Sequence, residues 1–338
     1  MGRFPTLLSL LAAAAIVRSA IVPMPRSNPL RPSDDDEDND TPLPLIIWHG
    51  LGDNFQAEGL ANVAKFADTM NPGTLVYLIH IGDTASADRT ATLLGNLNDQ
   101  LDQVCDDLAA HPILSTAPAV DALGFSQGGQ FLRAYVERCN FPPVRSLVTL
   151  GSPHNGISEF QACGDSDWVC RSWQGLLRSS TWSSFVQTRL VQAQYFRNLN
   201  EYDQYLENSN FLADINNERE VKNESYRERM ETLEKFVMYM FEEDETVVPK
   251  ESSWFGEVNG TELSALRDSN LYKENWLGLK TLDKKGALEL KTTPGRHMNI
   301  KQTLLEDIFT GYYGPFKKQF SPQTDRHAEY AHELQEEL

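Results

Sequence analysis

The chain carries the sequence G-F-S-Q-G at residues 124–128, which places a serine between two glycines. It follows an apolar run at 119–125, which we predict to be a buried strand, and it opens a helical pattern that continues through 130–138. A G-x-S-x-G turn between a strand and a helix lifts the serine hydroxyl above the sheet, because the glycines permit a sharp turn. Ser126 is therefore the predicted nucleophile, and the amide N–H of Gln127 is a predicted donor to an oxyanion.

A serine hydroxyl needs a base, and chain order narrows the choice. In hydrolases with this turn the order is serine, acid and then histidine. Three histidines lie far enough downstream, but His327 and His332 belong to the polar tail 321–338, which we expect to be frayed. His297 follows a predicted strand and a turn, so it is the predicted base. The remaining histidines are expected to serve packing or loop hydrogen bonding: His49, His80, His111 and His154.

The acid is expected at the end of the apolar run 235–241, the next predicted strand. Asp244 opens the sequence D-x-x-V-V-P, which resembles an acid loop common in such hydrolases, and a short carboxylate fixes an imidazole with less rotamer freedom than glutamate. We predict that Asp244 orients His297. The alternatives are the neighbouring glutamates: Glu242, Glu243 and Glu245.

The elements around these residues predict an α/β fold in which helices flank a mostly parallel central sheet, the α/β-hydrolase fold. Leu51 lies in the loop after the first predicted strand, so its amide N–H is the second predicted oxyanion donor. Residues 155–233 lack a clear strand and are predicted to form a helical insertion that supplies an apolar groove. The predicted strands are 43–49, 74–81, 119–125, 144–150, 235–241 and 286–292, and the predicted helices are 88–110, 130–138 and 300–312.

The composition excludes some classes of partner. The 338-residue chain has 48 acidic and 30 basic residues and a formal net charge of -18, which disfavours nucleic acid and anionic lipid surfaces. Its four cysteines form no C-x-x-C pair, so the sequence suggests neither a zinc site nor a redox motif, and we expect no metal and no cofactor. We expect a monomer without stable membrane insertion.

The N-terminus predicts export. Arg3 precedes an apolar stretch at 7–17 and small residues around Ser19, as in a signal peptide. We therefore divide the chain into a signal peptide (1–19), an acidic disordered linker (20–42), a hydrolase domain (43–320) and a polar tail (321–338). The expected destination is the lysosome, the vacuole or the medium. The candidate glycosylation sites are Asn39, Asn223 and Asn259.

Four cysteines suit two disulfides in an oxidising compartment, with buried free thiols as the alternative. They are Cys105, Cys139, Cys163 and Cys170.

Several longer motifs resemble palmitoyl-protein thioesterases of the lysosomal type 1 kind. The strongest are W-H-G-L-G-D at 48–53 and G-F-S-Q-G-G-Q-F-L-R-A at 124–134, and the likeness covers roughly 43–315. The further matching segments are 189–193, 211–216, 253–256 and 277–280. The sequence departs from the family in its acidic linker and its tail, in lacking a cysteine pair after Asp53, and in having Leu51 where the family often has methionine.

The resemblance implies an enzyme that removes long acyl groups, above all palmitate, from cysteines of S-palmitoylated proteins. By position it implies the triad Ser126, Asp244 and His297, and it implies pairing of Cys105 with Cys139 and of Cys163 with Cys170. The alternatives are a lipase or carboxylesterase acting on oxyesters, and a binding protein that retains the fold without activity. The three intact residues argue against the latter.

Overall fold

A computed structural model describes residues 41–160, 175 and 180–320, and its centre is a six-stranded sheet in which all neighbouring strands are parallel. The strand order is β2-β1-β3-β4-β5-β8, and each predicted strand overlaps an observed one. The strands are β1 (Leu45–Trp48), β2 (Val76–Leu78), β3 (Val120–Phe125), β4 (Val144–Leu150), β5 (Lys235–Phe241), the hairpin β6 (Glu257–Asn259) and β7 (Glu262–Ser264), and β8 (Leu288–Thr293). The predicted α/β-hydrolase fold is confirmed.

Helices cover both faces of this sheet, which explains why its central strands are continuous apolar runs. The helices are α1 (Glu58–Met70), α2 (Ala85–Ala91), α3 (Leu97–Ala110), α4 (Gln127–Arg138), α5 (Ser184–Gln187), α6 (Val191–Gln194), α7 (Tyr202–Asn208), α8 (Leu212–Ile215), α9 (Glu224–Met230), α10 (Asn270–Lys273), α11 (Leu279–Lys284) and α12 (Gln302–Tyr312). Short 3₁₀ turns occupy Leu114–Thr116, Leu199–Glu201, Lys250–Trp254 and Leu266–Asp268.

Alternate residues of the inner strands β1, β3, β4 and β5 belong to two separate cores. In β5, Phe236 and Met238 pack with α3, α4 and the insertion, whereas Val237 and Phe241 pack with α1 and α12. The described part of the insertion contains α5 to α9 and no strand, as predicted. Among the described residues, no helix is both long and apolar enough to cross a bilayer.

The single helix predicted over 88–110 is wrong, because the structure has two helices there. Gly95 has a φ of 140°, which ends any continuous helix, and the Asn96 side chain accepts a hydrogen bond from the Asn98 amide as the cap of α3. The spacing of apolar residues continued through Leu93 and Leu94, but these side chains are 44% and 40% exposed. The segment between the helices instead contacts the insertion and the loop after β1.

Cys105 on α3 and Cys139 at the end of α4 form a disulfide, which confirms the pairing implied by the family resemblance. The bond joins two helices on the same face of the sheet. The second pairing, Cys163 with Cys170, lies outside the described residues, as do Asn39, the signal peptide and the polar tail.

Replacing both Cys105 and Cys139 with alanine should lower the free energy of unfolding by about 4 kcal/mol, because the bond closes a loop with a sequence separation of 34 residues. Chemical denaturation of the variant and the wild type, both without reductant, would measure this. Adding reductant to the wild type should cause at least this loss, because it would also reduce the second predicted disulfide, and equal stabilities of the variant and the oxidised wild type would contradict the expectation.

Candidate active site

Three side chains from distant parts of the chain form one hydrogen-bonded line. His297 Nε2 lies 3.0 Å from Ser126 Oγ, and His297 Nδ1 lies 2.6 Å from Asp244 Oδ2. Ser126 follows β3, Asp244 follows β5 and His297 follows β8, so all three leave the carboxyl ends of parallel strands. With its Nδ1 proton donated to the carboxylate, the imidazole has Nε2 available to accept the serine proton.

Asp244 is held by its own loop. Its Oδ1 accepts hydrogen bonds from the amides of Thr246 at 2.9 Å and Val247 at 3.0 Å, which leaves Oδ2 for the imidazole. The carboxylate is fully buried, whereas Glu243 and Glu245 are exposed to solvent. Asp244 is thus the carboxylate that contacts His297.

The turn around Ser126 depends on close backbone packing. Ser126 itself has a φ of 52°, and its amide donates to the Leu150 carbonyl at 2.8 Å. A Cβ on Gly128 would lie 2.3 Å from the Trp48 carbonyl oxygen, and one on Gly124 would lie 2.1 Å from a backbone atom of α4. The glycines are therefore required by space, while the serine takes the unusual backbone angle.

The loop after β1 lies directly beside the nucleophile. A Cβ on Gly50 would lie 3.0 Å from the Cβ of Ser126, and the next residue, Leu51, lines the same cavity as Ser126. Gln127 is the first residue of α4, where amides have no intrahelical carbonyl partner. Leu51 and Gln127, the residues predicted to supply the oxyanion donors, thus belong to two segments that both adjoin Ser126.

The other histidines have structural partners, as expected. His49 is buried and its Nε2 lies 2.7 Å from a carboxylate oxygen of Asp88. His154 is buried between Arg133 and Thr149, and burial, together with the arginine charge, lowers its pKa well below the usual range. His80 contacts its own loop and His111 accepts amide hydrogen bonds, while His327 and His332 lie outside the described residues.

A cavity of about 820 Å³ opens at Ser126 and His297. Its apolar walls come mainly from α1 and from the segment that follows His297. The described part of the insertion adds Ile157, Gln192 and Tyr195. The wall residues contributed by α1 and the later segment are Leu60, Val63, Phe66, Met298, Ile300 and Leu305. The sequence predicts that the insertion forms the groove, but most of the described cavity wall comes from outside the insertion.

Comparison with known proteins decides the family. The profile of the family described as palmitoyl protein thioesterase matches residues 44–297. The chain belongs to this family. A palmitoyl-protein thioesterase 1 from Caenorhabditis elegans is 33% identical over 276 residues, which cover 80% of this chain and 92% of that protein.

Two further relatives are similar to this member of the family. The palmitoyl-protein thioesterase-dolichyl pyrophosphate phosphatase fusion 1 of Schizosaccharomyces pombe is 39% identical over 82% of this chain, and the match spans 44% of the fusion. The lysosomal thioesterase PPT2 of Homo sapiens is 28% identical over 72% of this chain and 78% of that protein.

Sequence reasoning did not predict the contribution of α1 to the cavity wall. The spacing of Leu60, Val63 and Ala67 is helical, and it would have indicated an amphipathic helix after the first strand. Asp88, which contacts His49, and Thr92, whose hydroxyl accepts a hydrogen bond from the Gly52 amide, carried no recognisable signal, since these contacts join segments distant in the chain.

Replacing Gly128 with alanine should destabilise the protein by about 1–3 kcal/mol and reduce its activity, because the added Cβ collides with the backbone of β1. Gly311, inside α12, is the matched control. It has open space around its Cβ position, so alanine there should stabilise by about 0.5–1 kcal/mol. Thermal unfolding and thioester hydrolysis would measure both effects, and an unchanged Gly128→Ala protein would contradict the steric argument.

Proposed function

We propose that this chain hydrolyses long-chain acyl thioesters on cysteines of S-palmitoylated proteins through an acyl-serine intermediate. The observation that carries the proposal is the line of Ser126, His297 and Asp244 at the mouth of a large, partly apolar cavity. The family membership supports the substrate class.

The first half of the reaction forms the acyl enzyme. His297 Nε2 removes the proton from Ser126 Oγ as that oxygen attacks the thioester carbonyl carbon. Asp244 stabilises the imidazolium, and the amides of Leu51 and Gln127 donate to the oxyanion. The carbon–sulfur bond then breaks, and the cysteine leaves as a thiol by accepting the proton from His297, or as a thiolate, in which case His297 releases its proton to water before the second half begins.

The second half releases the fatty acid. His297 removes a proton from water, and the resulting hydroxide attacks the acyl carbon to form a second oxyanion at the same donors. The bond to Ser126 Oγ breaks as the imidazolium returns its proton to that oxygen. No group outside the chain and water is needed for the atoms and charges to balance.

The cavity suits a long acyl chain because most of its wall side chains are apolar. Each methylene transferred from water to such a wall contributes about 0.8 kcal/mol. The eight methylenes that separate palmitoyl from octanoyl would give about 6 kcal/mol if fully buried. Because one side of the cavity opens to solvent, the additional methylenes are expected to be partly buried and to contribute only part of this binding free energy.

The best alternative is a lipase or carboxylesterase, because the same three residues also hydrolyse oxyesters.

We further propose that the chain enters the secretory pathway and acts in the lysosome or vacuole, or after secretion, as a monomer. The signal peptide predicted from the sequence supports entry into the secretory pathway, as do the exposed sequon residues Asn223 and Asn259.

The decisive experiment compares acetyl, octanoyl and palmitoyl thioesters, and a palmitoyl oxyester, below their micelle concentrations. We expect kcat/KM to rise steeply with chain length and to favour the thioester. Brief incubation with the palmitoyl thioester should add the mass of one palmitoyl group to a peptide containing Ser126. A folded Ser126→Ala protein should lose the adduct and several orders of magnitude of activity.

Equal kcat/KM for the three thioesters would remove the long-chain assignment, and a preference for the oxyester would favour the alternative. Substantial activity in Ser126→Ala would remove the proposed nucleophile.

Replacing Asp244 with asparagine should lower kcat on the order of 10⁴-fold, because a neutral amide does not support the imidazolium and favours the wrong tautomer of His297. The matched control is Glu243→Gln, an exposed position in the same loop that should retain activity. Steady-state kinetics on folded proteins would measure both. Loss of activity in the glutamine variant with retention in Asp244→Asn would show that the acid is misassigned.

A further inference from the structure

A single buried carboxylate, Asp88 on α2, joins the loop after β1 to the loop after β2. Its Oδ2 accepts from His49 Nε2 at 2.7 Å and from the Phe55 amide at 2.8 Å, and its Oδ1 accepts from the Ile81 amide at 2.8 Å. Asp88 is 1% exposed. The residues bonded to Oδ2 are the start and the end of the loop that contains Leu51.

Thr92, one turn further along, contacts the same loop at its centre. Its hydroxyl donates to the Arg89 carbonyl at 2.7 Å and accepts from the amide of Gly52 at 2.8 Å. Gly52 is the residue after Leu51. Among the described residues, the structure shows no hydrogen-bond acceptor for the Leu51 amide itself, which therefore remains available to an oxyanion.

The backbone of Thr92 also reaches the second donor residue. Its carbonyl accepts from the side chain of Gln127 at 3.3 Å, and the Oε1 of that side chain accepts from the Tyr195 hydroxyl at 3.1 Å. The Gln127 side chain is buried, so it is held between α2 and the insertion. Thr92 thus contacts Gln127 directly, and it contacts Gly52, the residue next to Leu51.

Burial alone would raise the pKa of Asp88, but the hydrogen bonds from His49 and from the amides of Ile81 and Phe55 outweigh it and lower that pKa. The carboxylate therefore stays ionised at any pH above its usual range, and its hydrogen bonds to the loop persist. Donors aimed at a developing oxyanion are effective only if they are already in place, because moving them during the reaction costs free energy.

We propose that Thr92 and Asp88 are positioning residues that hold the Leu51 and Gln127 amides where the oxyanion forms. This inference rests on the proposed function of the site. Neither side chain lines the cavity, so each acts through the loop rather than on the substrate. Thr92 gives the sharper test, because valine has the same shape and lacks only the hydroxyl.

The experiment compares Thr92→Val, Thr92→Ser and the control Thr90→Val. Thr90 lies two residues away, exposed, and its hydroxyl donates within α2 to Ser86. We expect Thr92→Val to lower kcat about tenfold, less than the roughly 100-fold or more that follows loss of an oxyanion donor, with KM nearly unchanged. Thr92→Ser should retain activity because it keeps the hydroxyl, and Thr90→Val should match the wild type.

A second readout separates positioning from general damage. A hexadecyl boronic acid forms a tetrahedral adduct with a serine and places an oxygen where the oxyanion lies, whereas palmitate occupies the cavity without forming that adduct. Thr92→Val should weaken inhibition by the boronic acid about tenfold, in line with kcat, and leave inhibition by palmitate unchanged.

Three results would overturn the positioning role alone: unchanged kcat in Thr92→Val, equal loss for both inhibitors, or failure of Thr92→Ser to retain activity. Absence of thioester hydrolysis in the wild-type protein, or full activity in Ser126→Ala, would instead overturn the proposed function together with the inference built on it.

Discussion

Helix α4 lies against strands β1 and β3 at backbone distance, and the catalytic geometry depends on this approach. A Cβ on Gly128 would collide with carbonyl oxygens of β1, and one on Gly129 would lie 2.1 Å from the Ser152 hydroxyl. Because no side chain separates them, the start of the helix, the nucleophile and the loop after β1 lie within van der Waals distance. Contact between these backbones is what allows the two amides proposed as oxyanion donors to reach a single oxygen.

The same helix also fixes the insertion. Arg133 is fully buried on α4, and its guanidinium donates to Glu137, to the Ile215 carbonyl at 2.9 Å and to Asn216 Oδ1 at 2.8 Å. A buried charge is costly unless its hydrogen bonds are satisfied, so these partners hold α8 firmly against α4. Tyr195 of the insertion lines the cavity and donates a hydrogen bond to the Gln127 side chain. The position of the insertion therefore affects both the acyl site and the oxyanion donors.

Sequence patterns predicted those parts of the structure that depend on local periodicity. Buried parallel strands are continuous apolar runs, and the serine turn has a fixed residue pattern, so β3, β4, β5 and Ser126 were predictable. Chain order then selected His297 and Asp244, which the structure brings together. The split between α2 and α3 was not predicted, because apolar spacing continues through Leu93 and Leu94 although these side chains are exposed and only the backbone there bonds to the insertion.

Parts of the site that depend on tertiary contacts left no comparable signal. The hydrogen bonds of Asp88 join segments far apart in the chain, and an aspartate in a short polar helix is ordinarily a solvated residue. The sequence predicts an acyl groove in the insertion, but the wall of the described cavity also depends on tertiary contacts of segments outside it. Aromatic residues of the insertion such as Phe160, Phe196 and Tyr205 pack in the core, while α1 and the segment after His297 form most of the described cavity wall.

The arrangement follows from a property of parallel sheets, in which the carboxyl ends of all strands meet at one edge. The loop with Leu51 follows β1, Ser126 follows β3, Asp244 follows β5 and His297 follows β8. At this edge both faces of the sheet are accessible, so α1 from one core and Tyr195 from the other line the same cavity. An acyl chain bound there would contact elements of both faces, and changes in either helical layer would reach the serine through its neighbours.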